Sequence, residues 1–258
     1  MPSEGKGAFT GRMVAAGVLL GLVLFAANRP IFLLVNGVKW PPLDWVMLSM
    51  THLGNGMVAA LLVLLLSPFR RDLTVRTAVA MVIAGVLTSL IKENMPLPRP
   101  PAVFGDAVNV LGSKMMGKSF PSGHTATVFA LACSLKGVVD NRVYRATLFT
   151  AVLVGVSRVY IGAHFPIDVA MGALLGWLSA IAARRPSASL VGYLEGPRSV
   201  LDRSFLVLAA LCAVYLAFFE PMIRHNPWFL RSLGFAGLGA SLFLLAKGFS
   251  PWGNQNEP

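Results

Sequence analysis

Six side chains in this sequence have the types and spacing for covalent chemistry: Lys92, Arg99, His124, Arg158, His164 and Asp168. The densest group is Ser157-Arg158-Val-Tyr-Ile-Gly-Ala-His164-Phe-Pro-Ile-Asp168. A proline is best tolerated in the first turn of a helix, so Pro166 makes His164 or Phe165 the helix cap and puts Asp168 just inside. His164 and Asp168 are then four residues apart, the separation at which side chains meet on one helical face. The carboxylate can hold one ring nitrogen and leave the other free to attack. Upstream, Pro121-Ser122-Gly123-His124 precedes an apolar run. A helix starting there offers unpaired backbone N–H groups and a favourable dipole to an anion, and Gly123 lets that anion come close. Three cations, two imidazoles, one carboxylate and the Ser122 hydroxyl describe a phosphate pocket. Fixed cations stabilise the charge that spreads over the oxygens during phosphoryl transfer, which calls for no metal and no cofactor.

Taken singly, a histidine in an apolar chain is most often a packed, hydrogen-bonded side chain, and an arginine at a helix end an interfacial anchor. The elements that carry these residues change that reading. The chain has 258 residues, 55% of them hydrophobic and 13% charged, with a mean hydropathy of +0.68, a balance that indicates an integral membrane protein. A net charge of +11 could point to nucleic acid, but the lysines and arginines form short clusters between apolar runs and no continuous basic stripe. Cys133 and Cys212 lie inside apolar runs without partners at ligand spacing, so neither a disulfide framework nor a zinc site is supported.

The apolar runs predict spans at residues 11–27, 46–66, 75–91, 125–139, 146–163, 167–183, 205–219 and 228–246, an all-α polytopic bundle of eight helices. The first six form a core over 1–185, a polar surface segment covers 186–204, and two further spans lie in 205–258. Residues 31–38 are too short to span. His225, between the last two spans, has no carboxylate at helical spacing and reads as an interfacial histidine. Most basic residues fall on the side of the amino terminus, which places that terminus inside and the long polar interval 92–124 outside. Lys92 follows the third span, His124 opens the fourth, Arg158 closes the fifth, and His164 with Asp168 opens the sixth. All of them are delivered to one membrane face. Asp106, Lys114 and Lys118 share the outer interval and read equally well as solvated loop charges.

Lys92-(six residues)-Arg99-Pro100, Pro121-Ser-Gly-His124 and Ser157-Arg158-(five residues)-His164-(three residues)-Asp168 together resemble the tripartite signature of the type 2 phosphatidic acid phosphatase family. The resemblance covers about residues 31–183. It implies that His164 attacks phosphorus to form a phosphohistidine while Asp168 orients the imidazole. It further implies that His124 protonates the leaving group and then activates water, with Lys92, Arg99, Ser122, Gly123 and Arg158 binding phosphoryl oxygens. The family also contains soluble haloperoxidases, which the apolar runs exclude here. The expected activity is hydrolysis of a phosphorylated membrane lipid at the outer face of a bacterial inner membrane. Undecaprenyl pyrophosphate is the first substrate, ahead of phosphatidylglycerol phosphate, phosphatidic acid and lipid A phosphate. The alternatives are a phosphotransferase of the same family and a phosphate or lipid transporter, the latter disfavoured because no short or broken pair of spans is evident.

Overall fold

A computed structural model describes residues 26–193, 198–218 and 227–247, and the expected first span, the 186–204 segment in part and His225 lie outside them. The described residues are helical: α1 (Asn28–Asn36), α2 (Pro41–Leu53), α3 (Gly56–Leu65), α4 (Arg71–Asn94), α5 (Pro100–Phe104), α6 (Gly123–Ser134), α7 (Asn141–Tyr160), α8 (Pro166–Ala182), α9 (Arg184–Tyr193), α10 (Arg198–Phe218) and α11 (Pro227–Ala246). This is the all-α membrane architecture that the apolar runs predict.

Two corrections concern the spans. The second expected span, residues 46–66, is not one helix: α2 and α3 meet at 64°. The cause is local. Gly54 ends α2, and the Asn55 side chain accepts from the Met57 N–H at 2.8 Å, capping a new helix. A broken pair therefore exists where the apolar run concealed one. Second, among the described residues only α4 and α11 are long and apolar enough to cross a membrane alone. The count rises to four if each bent pair, α2 with α3 and α8 with α9, is one span. The other described helices fall short of that length and composition for physical reasons: α6 has 12 residues, and α7 carries Arg142, Arg145 and Arg158.

The core around which the site is built is a seam of small residues. Ala80 and Ala84 of α4, Ala126 and Ala130 of α6 and Ala180 of α8 are all buried and packed together, which allows the close backbone approach on which helix association in lipid depends. The seam is tightest between α6 and α8. A methyl group on Gly172 would lie 2.5 Å from the Ser122 carbonyl oxygen, and one on Gly176 2.5 Å from that of Ala126. Lower down, Thr77 of α4 and Ser134 of α6 share a hydrogen bond of 2.7 Å. A second cluster, Val58, Leu61, Ala209, Ala213, Leu216 and Leu230, joins α3 to α10 and α11. Beneath the site, Phe32 packs against Phe104 and Phe165 with ring centroids 5.7 and 5.3 Å away. Large apolar side chains such as Leu34, Val82 and Phe149 face outward, as a lipid-facing surface requires.

Candidate active site

Four helix ends and the loop between α5 and α6 build the site. Phe165 is the N-cap of α8 and Pro166 its first residue, with Asp168 at the third position, as the proline predicts. The Asp168 carboxylate turns back to accept the Phe165 N–H at 2.9 Å. The same oxygen, Oδ2, lies 3.4 Å from His164 Nδ1 and accepts the Ser119 hydroxyl at 2.5 Å. Ser119 Oγ is itself 3.5 Å from Nδ1. Ser119 is thus a member of the site that the spacing argument missed. It is 1% exposed, and its only signal in the sequence is its place two residues before Pro121. His164 and Asp168 are each 2% exposed.

The other face of the imidazole belongs to Arg99. Its Nη1 lies 3.3 Å from His164 Nε2 and donates to the Ala163 carbonyl at 3.0 Å, while Nε donates to the Gly117 carbonyl at 2.9 Å. The Asp168 carboxylate on Nδ1 and the guanidinium on Nε2 fix the ring between opposite charges. An N–H directed from Nδ1 to the carboxylate leaves the Nε2 lone pair facing the cation. His164 sits in the loop between α7 and α8, where burial, followed by the positive charges of Arg158, Arg99 and Lys92, pushes its pKa well below that of an ordinary histidine. The ring is neutral at neutral pH. Burial also lowers the pKa of Arg99, opposed by Asp168, without threatening its charge.

Lys92, in the last turn of α4, donates to the carbonyls of Lys118 and Ser119 at 2.8 and 3.3 Å, bracing the loop that carries Ser119. Ser122 caps α6. Its hydroxyl accepts from Thr125 Oγ1 at 2.9 Å, it has no exposed surface, and its N–H donates to the Asp168 carbonyl at 2.9 Å. That last bond ties the start of α6 directly to the start of α8. A methyl group on Gly123 would meet nothing within 4 Å, so the space beside this helix start is open.

Arg158 and His124 form a second wall. Arg158 Nη1 donates to the Thr51 hydroxyl at 2.6 Å, and Thr51 is a further residue the sequence reading missed, hidden in the apolar run that breaks at Gly54. A methyl group on Gly54 would lie 2.9 Å from His124 Cβ. His124 lines the same cavity as Arg99, whose guanidinium lies 3.3 Å from His164 Nε2, so the two expected imidazoles lie in one site. A cavity of about 190 Å³ opens among His52, Asn55, Arg99, His124, Arg158 and the loop around Ser113. No Asp or Glu lines it.

Of the outer-loop charges, Lys114 pairs with Asp106 at 2.7 Å and Lys118 with Glu93 at 2.5 Å, all exposed. The Lys114 ammonium lowers the pKa of the Asp106 carboxyl. Asn36 cements the floor, bonding the Asn109 backbone at 2.7 and 2.9 Å and the Tyr160 carbonyl at 2.8 Å. Among the described residues no three His, Cys, Asp or Glu side chains gather at metal-ligand spacing.

Comparison with known proteins identifies the family of the chain, the PAP2 superfamily. The family model described as the PAP2 superfamily matches residues 73–188. An undecaprenyl-diphosphatase of Sulfolobus acidocaldarius is 31% identical over 65% of this chain and 82% of its own length. A phosphatidylglycerophosphatase B of Haemophilus influenzae is 41% identical over 24% of this chain and 30% of its own. The crystal structure of Aquifex aeolicus LpxE superposes with a TM-score of 0.58 at 33% identity, covering 61% of this chain and 94% of that one. The matched segment contains Lys92, Arg99, His124, Arg158, His164 and Asp168 but neither Thr51 nor His52.

Proposed function

Starting from the membership of this chain in the PAP2 superfamily, and hence from its activity as a membrane lipid phosphatase, we propose that it hydrolyses a lipid diphosphate or phosphomonoester through a phosphohistidine. Undecaprenyl diphosphate is the first choice of substrate, because a relative that is 31% identical and matched over 82% of its own length is named for that activity. The single observation that carries the mechanism is the position of His164, with Asp168 Oδ2 3.4 Å from Nδ1 and Arg99 3.3 Å from Nε2. A nucleophile held by a third group is the recurring pattern of covalent catalysis.

The steps balance as follows. His164 Nε2 forms a bond to phosphorus as the bond from phosphorus to the leaving oxygen breaks, and His124 gives that oxygen its proton where it needs one. Water then attacks the phosphohistidine, gives a proton to His124 and releases inorganic phosphate. Lys92, Arg99 and Arg158, with the first N–H groups of α6 and the Ser122-Gly123 turn, receive the oxygens on which negative charge develops. Asp168 and Ser119 keep the ring in its attacking tautomer. The proposed setting is the outer face of a bacterial inner membrane, with the amino terminus cytoplasmic, as the distribution of basic residues favours.

The test is phosphate release from a lipid phosphate in detergent with chelator present, combined with rapid-quench trapping of an acid-labile phosphoenzyme. Wild type is active and labelled, His164→Ala loses at least about a thousandfold and the label with it, and His124→Ala retains a slowly hydrolysed label. Equal turnover in His164→Ala removes the covalent step. Loss of activity with chelator removes metal independence.

A further inference from the structure

The break between α2 and α3 places an imidazole in the site that no signature motif contains. His52 is 1% exposed, and its Nε2 is buried without a hydrogen-bond partner among the described residues. Such atoms are rare, because a buried polar group that has left water and found no partner is destabilising. The ring is held by stacking on Phe229 of α11, with centroids 5.7 Å apart and planes within 16°, and it lines the cavity shared with Arg99, His124 and Arg158. Arg158 has an orphan of its own: Nε is buried and unpartnered, although Nη1 is held by Thr51. Among the described residues, two buried side-chain nitrogens without partners belong to residues that line one cavity with no carboxylate in its wall, and with the His52 proton on Nε2 both are donors that an anion would satisfy.

The order of groups says which anion. His52, His124, Arg158 and Arg99 line one cavity, and Arg99 Nη1 lies 3.3 Å from His164 Nε2, so the cavity connects the His164 side of the site to His52. His164 marks the attacking side and His124 the leaving oxygen. What lies past that oxygen is the leaving group, and there the protein presents His52 and Arg158 Nε. A lipid alcohol as leaving group offers these nitrogens one oxygen and no lasting charge. A lipid phosphate offers several oxygens and a lasting charge.

Resting on the phosphatase reading above, we infer that His52 and Arg158 form a second oxyanion subsite, which holds the lipid-proximal phosphate of a diphosphate lipid while the terminal phosphoryl group is transferred to His164. The bond that breaks is then the one between the terminal phosphorus and the bridging oxygen. The leaving lipid phosphate takes that electron pair, and the subsite neutralises its charge, so this step depends less on a proton from His124 than the release of an alkoxide would.

The experiment compares kcat/KM of the full chain in detergent on two probes of equal chain length, farnesyl diphosphate and farnesyl monophosphate. The variants are His52→Phe, which keeps a ring against Phe229 but no ring nitrogen, and His52→Gln, which restores a donor. Expected are a wild-type preference for the diphosphate, a fall of roughly ten- to a hundredfold on the diphosphate in His52→Phe, the scale of a hydrogen bond to a charged group, and change within about twofold on the monophosphate. His52→Gln recovers part of the diphosphate activity. An equal fall on both probes with a lowered melting midpoint assigns His52 to packing and overturns the subsite, as does no fall on either. Wild type that cleaves only the monophosphate also overturns the subsite and leaves the phosphatase standing. Wild type that cleaves neither probe and traps no phosphoenzyme overturns the phosphatase reading itself.

Discussion

The two walls of the site are built by opposite means. The α6–α8 wall is a close-packed seam: Gly172 and Gly176 bring the helix backbones together, the Ser122 N–H is tied to the Asp168 carbonyl, and the carboxylate closes its own helix cap before it meets His164. The α2–α3 wall is a discontinuity. There a helix stops at Gly54 and restarts under Asn55, and Thr51 and His52 turn polar groups toward Arg158 and the cavity. The first wall fixes His164, the proposed nucleophile, in a geometry that its own backbone determines. The second supplies contacts that depend on side chains alone. Covalent chemistry tolerates little displacement, since an error near 1 Å can cost about a hundredfold in rate, so the nucleophile belongs on the wall whose position cannot drift. Recognition of a leaving group tolerates more, and in the subsite proposed above it falls to residues at a bend.

The strongest way to break this contrast is to push the seam apart. Gly172→Ala places a methyl group 2.5 Å from a backbone oxygen that no rotamer change can move. The expected result is destabilisation of about 1–3 kcal/mol and a fall of about a hundredfold in kcat, both through displacement of His124 relative to Asp168. Gly85→Ala on α4 is the control. A methyl group there meets nothing within 4 Å, and alanine is the better helix former by about 0.5–1 kcal/mol, so the sign of the stability change reverses. A Gly172→Ala protein with wild-type turnover and melting midpoint removes the seam from the account.

The same contrast explains what the sequence made legible. The nucleophilic wall could be read because its residues obey local rules: Pro166 at the first helical position, Asp168 two residues on, and Ser122 before the helix it caps. These are short-range constraints that leave fixed spacings. The α2–α3 wall could not be read by the same means. Its signal, Thr51-His-Leu-Gly-Asn-Gly56, is six residues of which five are polar or small, between strongly apolar neighbours, and averaging over the length of a membrane span merges it into one continuous helix. Gly54-Asn55 alone combines a helix stop with a preferred helix start, and that pair held the information. Ser119 escaped for a different reason: it reaches Asp168 across 49 residues of chain, and nothing local marks such a contact. The apolar runs gave the position of the helices better than their lengths, since α6 ends at Ser134 after 12 residues.

A milder perturbation addresses the second wall by itself. Thr51→Val keeps the shape of the side chain but removes the oxygen that accepts Arg158 Nη1 at 2.6 Å. A hydrogen bond to a charged group contributes about 1.5–3 kcal/mol, and part of this is recovered by solvent or substrate, so a loss of roughly tenfold in kcat/KM is expected with the fold intact. Thr51→Ser restores the hydroxyl and most of the activity. If Thr51→Val lowers the melting midpoint as far as Gly172→Ala does, the bend is a structural joint like the seam, and the distinction between the walls fails.

The smallest effect belongs to a cation on the same face that touches neither wall. Lys114 pairs with Asp106 at 2.7 Å, with about half of the lysine side chain and nearly all of the aspartate side chain exposed. The formal attraction is large at that distance, but solvent and salt screen an exposed pair almost completely. Lys114→Ala is therefore expected to change kcat/KM by less than about twofold at physiological salt, even though Lys92 and Arg99 carry the same charge. The difference is desolvation: Arg99 is 6% exposed and held by backbone carbonyls against the nucleophile, so its field acts where water does not. A tenfold loss in Lys114→Ala, relieved by neither higher salt nor a shorter lipid, would make the outer loop a third wall.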